Sequence, residues 1–78
     1  MGIVVRYFAR LREIRGVPEE TLELSGPTSV GALYMDLFAA GTGEAIPVMY
    51  AVNQAYVVAD HVLDDGDEVA FIPPLGGG

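Results

Sequence analysis

The side chains of this sequence offer little chemistry, and its last residues offer more. The chain closes on Gly77-Gly78, with Gly76 before them and Pro73-Pro74-Leu75 leading in, so its final covalent group reads as an unhindered glycine carboxylate on an extended tail. Glycine lacks a Cβ, so such a run can pass through a channel too narrow for other residues and lie flat against a foreign backbone. Pro73 and Pro74 fix their own φ and bias the preceding residue toward extended geometry, which ends a strand and stiffens the exit of the tail. A second candidate is the carboxylate cluster Asp60, Asp64, Asp65, Asp67 and Glu68, with His61 among them. A calcium loop needs oxygen ligands at fixed alternating spacing and a closing glutamate, and this run has neither. Paired carboxylates doing acid–base work need burial to separate their pKa values, whereas Asp65-Gly66-Asp67 reads as a polar turn. His61 is the sole histidine and cysteine is absent, so any nucleophile–base pair would have to join a serine or threonine to His61. Ser25 and Ser29 fall at turn and cap positions that already explain their hydroxyls. No active site built from side chains, no metal and no bound cofactor is therefore expected, and the terminal carboxylate remains.

The elements that must position it follow from periodicity. Ile3 to Phe8 alternates as a strand, with Ile3, Val5 and Tyr7 on one face and Val4, Arg6 and Phe8 on the wetter one. Gly16-Val17-Pro18 breaks the chain, Thr21 to Leu24 alternates as a second strand with Leu22 and Leu24 inward, and Gly26-Pro27 turns it. Arg10, Arg12 and Arg15 are expected on a solvated turn between these two strands. Thr28 or Ser29 caps a helix on which Val30, Leu33, Tyr34, Leu37 and Phe38 form the apolar stripe, and Gly41 stops it. Gly41-Thr42-Gly43 has no following Gly-Lys-Ser/Thr and no strand-to-helix setting, so it is not a phosphate loop. Met49 to Val52 and Ala55 to Val58 read as short strands about a turn at Asn53-Gln54, and Asp65-Gly66 precedes a last strand, Glu68 to Ile72. One helix across one face of a mixed four- or five-stranded sheet, an α+β β-grasp, accommodates this order, with the last strand central and the tail held at its root. Residues 1–75 are then the domain and residues 76–78 its tail.

Composition limits what such a domain can meet. Seventy-eight residues support one core that buries roughly 60% of the unfolded surface. No apolar stretch approaches the roughly 20 residues of a membrane span, and Met1 to Arg6 lacks the pattern of a signal peptide, so a soluble cytoplasmic protein is expected. The net charge is −7, with all four cations arginines between Arg6 and Arg15, which argues against a nucleic-acid partner. The chain has no lysine and so cannot receive isopeptide links on its own side chains. Phe8, Tyr56 and Ile72 are expected on the face opposite the helix, where leaving them in water makes sense if a partner covers them.

Ala51-Val52-Asn53-Gln54, the run Asp60 to Pro74, the terminal Gly77-Gly78, and Tyr7-Phe8-Ala9-Arg10-Leu11-Arg12-Glu13 closely resemble the ubiquitin-like small subunits of molybdopterin synthase. The resemblance spans nearly the whole chain and is specific from Asp65 to Gly78, while Gly76 departs from the serine, threonine or alanine more usual there. The related thiamin-pathway carrier shares the diglycine but is usually shorter and lacks the Phe-Ile-Pro-Pro approach and the opening motif. The resemblance implies molybdenum-cofactor biosynthesis. An adenylating enzyme would use ATP to activate Gly78, a desulfurase or rhodanese would supply sulfur, and the resulting thiocarboxylate would enter the large catalytic subunit, in a heterotetramer, as sulfur donor. It further implies docking through Phe8, Tyr56, Ile72, Pro73, Pro74 and Leu75. Two alternatives use the same tail: a protein modifier joined to lysines of its targets, and a sulfur carrier for another pathway such as thiamin, tRNA thiolation or cysteine. An interaction module with an inert tail is a third.

Overall fold

The computed structural model describes residues 1–39 and 46–74, without the side chain of Ala39. Five strands form one mixed sheet in the order β2-β1-β5-β3-β4. They are β1 (Gly2–Tyr7), β2 (Glu19–Glu23), β3 (Met49–Val52), β4 (Ala55–Val57) and β5 (Glu68–Ile72). β1 pairs antiparallel with β2 and parallel with β5, and β3 runs antiparallel to both β4 and β5. This is the expected β-grasp with five strands and β5 at its centre.

Alternation along the strands sends Ile3, Val5, Tyr7, Val69 and Phe71 into the core, where a helix covers them. That helix, α2 (Val30–Tyr34), begins at Ser29, whose Oγ accepts the Ala32 amide at 3.2 Å. Its first amides are met by the chain before β5: Val30 donates to the His61 carbonyl at 2.8 Å and Gly31 to that of Ala59 at 2.9 Å. Past Tyr34 the helix widens into a π-helical turn, Met35–Ala39. The apolar stripe still faces inward, with Val30, Leu33, Tyr34 and Phe38 buried and Leu37 packed against them. Tyr7, Tyr34, Phe38, Tyr50 and Phe71 meet edge-on or tilted at centroid separations of 5.0 to 6.1 Å, joining helix to sheet. The Tyr34 hydroxyl donates to the Ile46 carbonyl, and burial raises its pKa, which keeps it a neutral donor.

The structure corrects the amino-terminal hairpin. Arg10, Arg12 and Arg15 lie not on a turn but on a short helix, α1 (Ala9–Arg15), which ends at Gly16 in the left-handed region, φ 79°. Its residues are mostly good helix formers, but only Leu11 among them is buried, so no apolar period marked the helix. β1 ends at Tyr7, so Phe8 precedes α1 instead of closing the strand, and β2 begins two residues before its expected start and ends at Glu23. The strand expected to reach Val58 stops at Val57.

Candidate docking face and tail root

β5 decides where the tail leaves the fold. Phe71 is wholly buried, in contact with Tyr34, Phe38 and Tyr50, and β1 and β3 flank it on both sides. Ile72 pairs with Met49, and half-buried Pro73 and exposed Pro74 follow. A strand held on both edges and pinned by an aromatic cannot slide, so the chain beyond Pro74 starts from a fixed point. Pro74, Pro47, Val48 and Met49 line a small, almost wholly apolar cleft of about 200 Å³ at this exit. Leu75, Gly76, Gly77 and Gly78 lie outside the described residues, as do Gly41 and the loop Gly41-Thr42-Gly43.

The start of β5 is held by a polar network. Asp67, 9% exposed, accepts the Asn53 side-chain amide at 3.0 Å on one oxygen and the Asp64 backbone amide at 2.7 Å on the other. Asn53 in turn accepts the Glu68 amide at 3.0 Å. Asn53 and Gln54 both have positive φ, 51° and 70°, which gives a hairpin turn whose twist matches its strands. Asp65 accepts the Gly2 amide at 2.7 Å, and Gly66 occupies the left-handed region at φ 86°. Turn and anchoring roles thus account for Asp65 and Asp67, and among the described residues no three His, Asp or Glu side chains are grouped as metal ligands.

Across the sheet face away from α2, one cross-strand row runs Glu19, Arg6, Ala70, Ala51, Tyr56. The two alanines sit between longer neighbours and leave a depression of about 280 Å³, walled by Phe8, Tyr56, Ile72, Gln54 and the Arg6–Glu68 pair. Phe8 is 43% and Tyr56 68% exposed, and Ile72 is half-buried instead of free. The three residues expected on this face are therefore brought together, although Phe8 arrives from outside the strand. Arg6 contacts Glu68 at 2.6 Å and Glu19 at 3.7 Å, an exposed arrangement contributing about 0–1 kcal/mol.

Sequence reasoning missed Met49, which is 54% exposed, faces the same side and lines the cleft at the tail exit. It also missed the role of Ala51 and Ala70. The available signal was small residues at outward positions of two strands, legible only once those strands are known to be neighbours. No helix among the described residues is long and apolar enough to cross a membrane.

Comparison with known proteins is consistent over the whole length. Residues 5–78 match the model of the ThiS family. The molybdopterin synthase sulfur carrier subunit of Chlamydomonas reinhardtii is 42% identical, with 100% of each chain covered. The subunit of the same name from Escherichia coli K12 is 41% identical over 97% of this chain and 99% of its own. Among solved structures, the putative molybdopterin converting factor, subunit 1, of Pyrococcus furiosus superposes with a TM-score of 0.81 at 34% identity, covering 96% of this chain and 99% of that one.

Proposed function

Since the chain belongs to the ThiS family, among the molybdopterin synthase sulfur carrier subunits, we propose that it carries sulfur on Gly78 for molybdenum-cofactor biosynthesis in the cytoplasm. The observation that supports this most directly is the placement of β5. The strand leading to the tail is the central one, anchored by Phe71 and Asp67, so a rigid body presents a threadable end. No cysteine is present to carry sulfur, which fits a carrier group made from the Gly78 carboxylate.

A carboxylate is a poor electrophile. An adenylating partner couples it to ATP, releasing pyrophosphate and forming an acyl-adenylate at Gly78. The outer sulfur of a persulfide on a desulfurase or rhodanese then expels AMP to give an acyl disulfide, whose S–S bond a second thiol reduces to leave the thiocarboxylate. The Gly78 thiocarboxylate enters the large subunit, which supplies the catalytic side chains for sulfur transfer to the pterin precursor. Gly76 and Gly77 are the spacer that threads. Docking uses the depression walled by Phe8, Tyr56 and Ile72 and the cleft lined by Pro74, and draws on Pro73 and Leu75 as well.

Intact-mass spectrometry after incubation with the adenylating enzyme, ATP and a sulfur source tests this. The full chain should gain the mass of one oxygen exchanged for sulfur, and a chain lacking Gly78 should gain nothing. The same gain in the truncated chain refutes the assignment. Gly78-linked conjugates on lysines of other proteins, in place of the thiocarboxylate, would instead make the chain a modifier.

A further inference from the structure

Phe8 owes its position to something other than the sheet. It lies past the last ladder pair of β1, and Ala9 after it has φ 50°, a left-handed conformation costly for a residue with a Cβ. The helix it introduces is a weak support. α1 has seven residues, no side-chain cap at its start and no acidic residue in its first turn, and Leu11 is its buried residue. An isolated helix of that length does not hold itself together.

What closes the excursion from β1 to β2 is a cluster at the far end of α1. Glu20 Oε1 accepts the Tyr7 hydroxyl at 2.6 Å, Arg15 Nε at 3.1 Å and Arg15 Nη2 at 2.5 Å. The Arg15 guanidinium also lies 5.7 Å from the Tyr7 ring centroid. Tyr7 is the residue directly before Phe8, and its amide donates to the Pro18 carbonyl at 2.9 Å. One carboxylate oxygen therefore joins the residue preceding Phe8, the last residue of α1 and the second residue of β2. Arg15 and Glu20 are both largely shielded, at 29% and 26% side-chain exposure, so their pairing is screened less than that of Arg6.

We propose that the Tyr7–Glu20–Arg15 latch is a positioning device that fixes α1 against β2 and thereby holds Phe8 over the outer face of the sheet. Arg15 and Glu20 are positioning residues and need not touch the partner. The latch rests on the docking role of Phe8, and the test separates the two. Affinity for the large subunit of molybdopterin synthase is measured for the native chain, Phe8→Ala, Arg15→Ala, Arg15→Lys and the Phe8→Ala/Arg15→Ala pair, with the Phe8 ring resonances followed by NMR in the free protein. Arg15→Ala should weaken binding roughly tenfold, and Arg15→Lys should also weaken it, because lysine cannot reproduce the two-nitrogen contact. In the Phe8→Ala background the loss of Arg15 should cost nothing further, and the Phe8 ring signals of Arg15→Ala should shift and broaden. Full affinity of Arg15→Lys, or losses that add in the double variant, would make Arg15 a direct contact and overturn the latch. If Phe8→Ala binds normally, the docking reading fails. Ring signals unchanged in Arg15→Ala overturn the latch whatever the affinities are.

Discussion

Gly31→Ala should destabilise the protein although alanine is the better helix former. Gly31 lies in the first turn of α2, where replacing glycine by alanine ordinarily stabilises a helix by at most about 1 kcal/mol. A Cβ built there would fall 2.8 Å from the Ala59 Cβ and 2.9 Å from the Ala59 oxygen, closer than real Cβ contacts come. The second neighbour is backbone, and it is the oxygen that accepts the Gly31 amide at 2.9 Å, so relief of the clash stretches that bond. Overpacking of this kind costs about 1–3 kcal/mol, and a weakened hydrogen bond adds about 1 kcal/mol. Against the propensity gain, a net loss of about 1–3 kcal/mol remains. At ~4–8 °C per kcal/mol for a domain of this size, Tm should fall by roughly 5–20 °C in a thermal scan followed by circular dichroism. Adding Ala59→Gly removes one of the two clashes and should recover part of the fall. A Tm equal to or above the native value in Gly31→Ala would refute the close packing of α2 on the chain before β5.

Phe8→Asp should weaken binding of the large subunit while shifting Tm by no more than about 4 °C, since an exposed side chain contributes little to the core; unfolding would place Phe8 in the core instead. Asp67→Ala leaves the Asn53 side-chain amide and the Asp64 amide without acceptors and should cost about 1–3 kcal/mol in urea denaturation, whereas exposed Asp64→Ala should be near neutral. The Glu20 carboxyl is held below its ordinary value, first by the Tyr7 hydroxyl and then by Arg15. Its stabilisation is therefore present above the usual carboxylate range and lost as pH falls through the lowered folded value. The Tm gap between the native chain and Glu20→Gln should be largest near neutral pH and should shrink below about pH 4; a gap that stays constant into acid contradicts the ion pair. The Tyr7 pKa is raised, chiefly by burial, so the share of stability held by its neutral phenol should disappear as pH rises above about 10.

Much of the fold was legible because local periodicity records which side of an element is dry. Ile3, Val5 and Tyr7, the stripe from Val30 to Phe38, and Val69 with Phe71 all face inward as their spacing required. Asp65-Gly66 turns where its chemistry demands, and the run from Asp65 to Gly78 already carried the family resemblance. α1 was hidden because a helix held by one buried leucine and one ion-pair cluster leaves no apolar period in the sequence. The π-helical turn was hidden too: it carries Phe38, which meets Tyr7 and Phe71 in contacts that no local period records. The proposed docking face depended most on tertiary structure. Alternation put Arg6, Tyr56 and Ile72 on one side, but only the strand order made Ala70 and Ala51 neighbours and set Tyr56 and Phe8 around them. A sequence specifies the facing of each strand through a two-residue repeat, whereas which strands become neighbours, and in what register, is fixed by the global burial that their pairing achieves.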